Sequence, residues 1–150
     1  MIIHFKRFHP KAIIPTYAYT NDSGLDLSAR LDHILVIAPH ETALIPTGIG
    51  YQLEAEDHDP PELDFEGQVR PRSSLSSKGI LGALGTIDAG YTGEIYVSLI
   101  NTTDSCFHIQ PDSRIAQLVI CPIFHALRGR IVNTFLETDR GSRGFGSTGS

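Results

Sequence analysis

Residues 70–79, with the sequence RPRSSLSSKG, bring together groups that suit the binding of an anion. Arg72 is followed by Ser73 and Ser74 at the start of a predicted short helix, which the serines cap and Gly79 ends. A guanidinium pairs well with phosphate, and the first N–H groups of a helix carry partial positive charge. The alternative is a capped surface helix without a ligand, and this segment taken alone favours that alternative.

Residues 85–94, GTIDAGYTGE, place Asp88 and Tyr91 between glycines, directly before an apolar run. We predict a β-hairpin here. Its exposed backbone would bind the edge of a flat base, and Asp88 would hold a water molecule. The alternative is a plain turn, in which Asp and Gly are common for backbone reasons.

The last eleven residues, RGSRGFGSTGS, combine cations, glycines, hydroxyls and one aromatic ring. Their glycines resemble two phosphate-binding patterns, but both patterns need a helix directly afterwards, for which this sequence leaves no space. Arginines can clamp phosphate, and Phe145 can stack on a flat ring. We therefore interpret the segment as a lid over a nucleotide, with a frayed terminus as the alternative.

Two further polar residues stand in strand-like segments. Asp26 follows a glycine in DSGLDLSA (22–29), and Gln117 interrupts the apolar RIAQL (114–118). A glutamine in mid-strand normally faces solvent or an edge, and if it is buried it needs hydrogen-bond partners.

The elements that must position these residues are short and rich in β-branched residues. In EIYVSLIN (94–101), apolar residues alternate with Tyr96 and Ser98, which is the period of a strand. Such spacing predicts an all-β sandwich, barrel or jelly roll. The other predicted strands lie in the runs 33–38, 42–53, 106–110 and 114–123.

Residues 54–66, EAEDHDPPELDFE, are strongly acidic and contain Pro-Pro. We expect an exposed, solvated loop here, with a cation or partner site as the alternative.

Composition and charge narrow the class of protein. A chain of 150 residues predicts one domain, and a net charge of −5 argues against a nucleic-acid partner. We expect no membrane span and no secretion signal, since the apolar runs are short. The cytoplasm is the expected location, with a nuclear or virus-infected setting equally compatible. The two cysteines are expected to be buried free thiols.

Taken together and in this order, five segments resemble the motifs of the trimeric deoxyuridine triphosphatase (dUTPase) family. They are SGLDL (23–27), RPRSSLSSKG (70–79), GTIDAGYTGE (85–94), RIAQL (114–118) and RGSRGFGSTG (140–149). The resemblance implies a distorted jelly-roll β-barrel over residues 1–138 and a flexible C-terminal lid over 139–150. It also implies a homotrimer with shared active sites that hydrolyses dUTP to dUMP and pyrophosphate with Mg²⁺.

The resemblance also implies a role for each matching residue. Asp88 would orient and activate the attacking water at the α-phosphorus, and Tyr91 would exclude a 2′-hydroxyl. Asp26 would hold magnesium through its waters. Uracil would be bound through the backbone at Gly85, Thr86 and Ile87, and the phosphates through Arg72, Ser73, Ser74 and Gln117. In the lid, Phe145 would cover uracil, Arg140, Ser147 and Thr148 would bind the γ-phosphate, and Gly146 would also contact substrate.

The chain departs from the family pattern at three places. Ser74 and Ser113 replace the usual glycine and aspartate, and Gly82 stands where many members have asparagine. We considered two rival functions. A dCTP deaminase of the same fold would need a glutamate at the position of Ser98, and a non-catalytic regulatory protein would use the acidic loop as a contact surface.

Overall fold

The computed structural model describes residues 1–54, 56, 64–124 and 130–139. The described residues form eleven β-strands and one short helix, which confirms the predicted all-β class. In chain order the strands are β1 (Ile2–Arg7), β2 (Leu25–Ser28), β3 (Leu35–Ile37), β4 (Thr42–Pro46), β5 (Ile49–Glu54), β6 (Asp64–Pro71), β7 (Ile80–Gly82), β8 (Gly85–Ile87), β9 (Tyr96–Asn101), β10 (Phe107–Ile109) and β11 (Arg114–Ile123), with helix α1 (Ser73–Ser76) between β6 and β7.

All strand pairs in the described part of the chain are antiparallel. One sheet has the order β2-β11-β6-β8, a second has the order β4-β9-β7, and β1-β5 and β3-β10 form two-stranded sheets. Apolar side chains from the two larger sheets share one core, which includes Leu27 and Leu118 from the first and Val97 and Leu99 from the second. The first sheet positions most of the candidate site, because its central strand β11 pairs with both β2 and β6.

Strand β9 shows how the alternating pattern is used. Ile95, Val97 and Leu99 are all buried, as their period of two predicts. The next inward residue, Asn101, is polar and fully buried. Its amide nitrogen donates to the carbonyls of Ile37 (3.0 Å), Ala38 (3.1 Å) and Ser105 (2.8 Å). Its oxygen accepts from the backbone N–H (3.0 Å) and hydroxyl (2.8 Å) of Thr103.

The predicted hairpin over residues 85–94 is wrong in its strand pairing. Strand β8 pairs with β6, whereas β9 pairs with β4 and β7 in the other sheet. The chain therefore crosses between sheets after β8. Only the turn is as expected, with the Tyr91 N–H donating to the Asp88 carbonyl at 2.9 Å. Local alternation identified the strands but carries no information on which strand each one pairs with.

Helix α1 differs from the prediction at both ends: it ends at Ser76 with Ser77 as the C-cap, and Gly79 ends only the turn that follows. Gly79 has φ +76°, and a Cβ there would come within 2.6 Å of Thr103. The N-cap residue is Arg72, with no side-chain cap, so the predicted serine cap is wrong. The hydroxyl of Ser76 instead donates back to the Arg72 carbonyl.

Two other expectations are corrected. Residues 64–66 of the predicted acidic loop already belong to β6, while 55 and 57–63 lie outside the described residues. Both cysteines are free, but Cys106 is exposed and Cys121 is half-buried, so the predicted burial is wrong. No helix among the described residues is long and apolar enough to span a membrane.

The buried ring of Tyr51 packs directly against Gly67. Its hydroxyl finds no hydrogen bond of normal geometry among the described residues, and a Cβ on Gly67 would lie 2.3 Å from it. Burial raises the pKa of Tyr51 to about 12. The hydroxyl therefore contributes little to stability and prevents any side chain at position 67.

We predict that Asn101→Asp lowers the free energy of unfolding by at least about 3 kcal/mol, because a carboxylate oxygen would replace the amide donor against three carbonyls. Urea denaturation followed by circular dichroism measures this loss. Asn133→Asp, the same change at an exposed position, serves as the control and should leave the midpoint in place. Equal stability of the two variants would contradict the role assigned to Asn101.

A second prediction concerns Tyr51 and Gly67. Gly67→Ala should destabilise the protein by about 2–3 kcal/mol through overpacking, whereas Tyr51→Phe alone should be close to neutral. The double variant should recover part of the loss, since the closest contact is removed. A thermal-unfolding double-mutant cycle tests this, and strictly additive effects would refute it.

Candidate active site

The first candidate site is a cavity of about 660 Å³ at one end of the β2-β11-β6 sheet. Gln117 on β11 lies opposite Asp26 on β2 and opposite Arg70 on β6. Chain residues just beyond β6 add Arg72 and the start of α1. The sheet order thus gathers three separate sequence segments, and the predicted residues that line this cavity are Asp26, Arg72, Ser73, Ser74 and Gln117.

A double ion pair organises the charges in this cavity. The carboxylate of Asp26 receives Arg72 Nε at 3.3 Å on one oxygen and Arg114 Nη1 at 3.0 Å on the other. Arg72 also donates through Nη1 to the Arg114 carbonyl at 3.0 Å. Two guanidiniums against one carboxylate leave an excess of positive charge, which suits a polyanionic ligand.

The same contacts determine how Asp26 can serve a metal ion. One of its oxygens accepts a hydrogen bond from Arg114 and the other forms an ion pair with Arg72, so a direct metal bond would have to displace a guanidinium. The carboxylate can still accept hydrogen bonds from water. The donor set therefore fits a hydrated Mg²⁺ held through its waters, since Mg²⁺ retains water readily.

Gln117 owes its position to a glycine. Its amide nitrogen donates to the Pro71 carbonyl at 3.2 Å, which provides the partner that a half-buried glutamine needs. A Cβ on Gly24 would lie 2.7 Å from Gln117 Oε1. The glycine before Asp26 therefore leaves the space that the Gln117 amide occupies in this arrangement.

A second cavity, of about 210 Å³, lies where the chain leaves β8. It is lined by the predicted residues Gly85, Thr86, Ile87, Asp88 and Tyr91, together with Val69, Glu94, Ile95 and Tyr96. The Tyr91 hydroxyl donates to the Glu94 carbonyl at 2.9 Å, which fixes the ring along the chain. Asp88 is exposed at the rim and makes no ion pair with any described residue.

The backbone of β8 is available on one side. Within the part of the chain that the structure describes, this strand is the edge of its sheet and pairs only with β6, along residues 67–69. Outward N–H and C=O groups of an edge strand are free to bind a ligand or another chain. The second cavity therefore offers backbone hydrogen bonds beside an apolar wall.

Among the described residues, the two cavities share no lining residue. Asp88 and Tyr91 thus line a different cavity from Arg72, Ser73 and Gln117. The predicted lid residues Arg140, Phe145, Gly146, Ser147 and Thr148 lie outside the described residues.

Sequence reasoning missed several residues of the two cavities. Arg114 stands in a quoted motif, but a charged residue at the start of a strand is normally solvated, so no signal separated it from the surface. Arg70 also lines the first cavity, and its guanidinium donates to Gln68 Oε1 at 2.6 Å and 3.1 Å. Glu94 and Tyr96 line the second cavity, where the negative charge of Glu94 raises the pKa of Tyr96.

The structure shows the local surroundings of two of the three departures from the family pattern, Ser113 and Gly82. Asp112 adopts a left-handed conformation (φ +62°), which aspartate tolerates better than most residues. Ser113 donates to the Gln110 carbonyl at 2.7 Å and so completes the same turn. A Cβ on Gly82 would lie 3.0 Å from Pro71, which leaves little space for a side chain there.

Known proteins resemble this chain over its whole length. A profile of the dUTPase family matches residues 10–149. Deoxyuridine 5'-triphosphate nucleotidohydrolase of Picosynechococcus sp. is 43% identical over 153 residues, with 100% of both chains covered. The protein of the same name from Clostridium kluyveri is 47% identical over 148 residues, covering 97% of this chain and 96% of its own.

Solved structures agree with the sequence matches. Staphylococcus bacteriophage 80alpha dUTPase with dUpNHpp gives a TM-score of 0.85 at 25% identity, with 99% of each chain covered. A mutant dUTPase from phage phi11 of S. aureus, described as coordinating a structural Mg(II) ion, gives a TM-score of 0.76 at 22% identity and supports the fold alone. From the profile, the relatives and the fold, the chain belongs to the dUTPase family.

Proposed function

We propose that this protein hydrolyses dUTP to dUMP and pyrophosphate, which keeps uracil out of DNA and supplies dUMP for dTMP synthesis. The observation that carries the proposal is the pair of cavities, one cationic and one bearing the Asp88 carboxylate, which has no ion-pair partner among the described residues, beside an edge strand. The names of full-length relatives supply the substrate.

The triphosphate binds in the first cavity. Arg72 and the hydroxyls of Ser73 and Ser74 bind phosphate oxygens, and Gln117 donates from the central strand. Arg114 holds Asp26 in place and contributes the excess positive charge. Neutralising the phosphate oxygens is necessary because an attacking water must otherwise approach a strongly negative centre.

Magnesium has a defined place in this scheme. When bound, Mg²⁺ supplies further charge neutralisation at the phosphates. Asp26 accepts hydrogen bonds from its waters, as its two arginine contacts allow.

Asp88 performs the step at the α-phosphorus. Its carboxylate accepts a hydrogen bond from one water and directs the lone pair of that water at phosphorus. The new P–O bond forms as the bond to pyrophosphate breaks, and the carboxylate takes up the proton. An aspartate is a weak base, so its contribution is mainly the orientation of the water.

The second cavity selects the nucleoside. The free edge of β8 binds uracil through the backbone at Gly85, Thr86 and Ile87. Tyr91 packs against the deoxyribose and leaves no space for a 2′-hydroxyl, which excludes UTP.

A complete site needs more than one subunit. Because the two cavities are separate within the chain, we infer that the second cavity of one subunit faces the first cavity of another in a homotrimer. Residues 1–138 form the body of each subunit. Residues 139–150 close over the site from a neighbour, with Phe145 on uracil, Arg140, Ser147 and Thr148 on the γ-phosphate, and Gly146 permitting close approach.

We predict that Asp88→Asn reduces kcat on dUTP by about 1,000-fold while dUTP binding is retained, because the neutral amide orients the water less well and cannot accept its proton. Product chromatography with dUTP, dCTP, dTTP and UTP in Mg²⁺ measures this. Asp112→Asn is a matched control at an exposed turn and should keep wild-type activity.

Each other outcome of that assay has a clear meaning. Deamination of dCTP by the wild-type protein would favour the deaminase and contradict the inference from Ser98. Binding of dUTP without any turnover would favour the regulatory protein.

Shared sites predict complementation between inactive variants. Asp88→Asn and Arg72→Gln, each inactive alone, should regain activity when they are unfolded and refolded together, because some sites then receive Asp88 from one chain and Arg72 from another. Random mixing at 1:1 should restore about a quarter of the sites.

The matched control mixes Asp88→Asn with a chain that carries both Asp88→Asn and Arg72→Gln. This mixture should stay inactive, since neither chain supplies an intact Asp88. Failure of the first mixture to regain activity would show that each chain builds its own site.

A further inference from the structure

Glu94 lines the second cavity and also forms three hydrogen bonds with other parts of the chain. Its Oε1 accepts the backbone N–H of Gly48 at 2.7 Å, and its Oε2 accepts the hydroxyl of Tyr96 at 3.2 Å. Its own carbonyl accepts the hydroxyl of Tyr91 at 2.9 Å. One residue thus connects the loop that carries Tyr91 to the body of the fold.

The anchor on the Gly48 side is well fixed. Gly48 has φ +69°, and a Cβ there would lie 2.7 Å from Ala12. Its carbonyl accepts the Phe8 N–H at 2.8 Å. Gly48 has a restricted backbone conformation, and both its N–H and its carbonyl form hydrogen bonds. The Glu94 carboxylate is therefore bound to a rigid part of the backbone.

The Tyr91 side depends on the backbone of residues 93 and 94. A Cβ on Gly93 would lie 2.4 Å from the Tyr91 hydroxyl and 2.5 Å from the ring carbon that bears it. The ring therefore lies directly on the chain at Gly93, and its hydroxyl is bonded at Glu94. A displacement of residue 94 moves the Tyr91 ring with it.

Backbone contacts confine that displacement to the loop. The Ile95 N–H donates to the Ile49 carbonyl at 2.7 Å, and the Thr47 N–H donates to the Ile95 carbonyl at 3.2 Å. These bonds hold the start of β9 whether or not the Glu94 carboxylate is present. The negative charge of Glu94 raises the pKa of Tyr96, so Tyr96 stays a neutral donor at neutral pH.

We propose that Glu94 is a positioning residue that sets the Tyr91 ring and thereby determines how strongly the enzyme rejects a 2′-hydroxyl. This inference rests on the proposed function, because the selectivity concerned is that between dUTP and UTP. Glu94 acts through Tyr91 and touches no reacting atom.

The test compares kcat/KM for dUTP with kcat/KM for UTP in the wild-type protein and three variants. Glu94→Ala should lower the dUTP/UTP ratio by about tenfold, since the ring is no longer held in place. Glu94→Gln should restore it, because the amide oxygen still accepts from Gly48 and the amide nitrogen donates to Tyr96. Glu94→Asp, which keeps the charge but withdraws the carboxylate, should give an intermediate ratio.

The ratio separates positioning from stability, because the fraction of folded enzyme cancels between the two substrates. Ile37→Val is the control, since this buried residue of β3 lines neither cavity and its change should lower stability without altering the ratio. If Glu94→Ala does not fold, a reduced ratio for Glu94→Asp with a normal ratio for Glu94→Gln supports the same role.

Two results would overturn the inference in different ways. An unchanged ratio in both Glu94→Ala and Glu94→Asp, with a wild-type protein that prefers dUTP, refutes the role of Glu94 alone. A wild-type protein that does not hydrolyse dUTP refutes the proposed function and this inference with it.

Discussion

The ion pairs of Asp26 with Arg72 and Arg114 are the interaction on which the phosphate cavity depends. Two guanidiniums that contact the same carboxylate would repel each other if that carboxylate were absent. The carboxylate between them removes that repulsion and fixes both side chains, yet the cavity keeps an excess of positive charge. Asp26 on β2 can lie between the two arginines only because β2 and β6 flank the same strand. The arrangement of charges in the cavity therefore depends on the order of strands in the sheet.

The crossing between sheets after β8 imposes a second constraint. Since β8 and β9 belong to different sheets, the loop that carries Asp88 and Tyr91 is held at its two ends by separate parts of the fold. It lies apart from the phosphate cavity, and the edge of β8 is left without a strand partner among the described residues. Both features have a function in the proposed trimer. The free edge of β8 binds the base, and because the loop and the phosphate cavity are separate, each active site depends on assembly of the subunits.

Several elements of this fold could be predicted from the sequence because their signals are local. The run 114–123 is strand β11 residue for residue, and the alternation in β9 gives the buried face correctly. The pairing partner of β8 could not be predicted, because it depends on contacts with residues distant in sequence. The same limit explains Arg114 and Glu94, whose roles arise from the partners Asp26 and Gly48, 88 and 46 residues away. The prediction that both cysteines are buried was wrong, because the general tendency of free cysteines to be buried says nothing about an individual position. Cys106 lies at the exposed start of a short strand.

Close contacts within the chain explain why Gly24 and Gly93, in two of the motifs, are glycines. At Gly24 a Cβ would meet the oxygen of Gln117, and at Gly93 it would meet the ring of Tyr91. Neither glycine has a positive φ, so backbone conformation is not the reason for its presence. In both cases the glycine has no side chain, and the space left free is occupied by another motif residue. Gln117 occupies the space at Gly24, and the Tyr91 ring occupies the space at Gly93. The first motif is thereby coupled to the fourth through Gly24 and Gln117, and the third motif is coupled to itself through Gly93 and Tyr91. Under the proposed function, substituting either glycine would therefore act on substrate binding through the displaced neighbour, even though no ligand needs to touch the glycine itself.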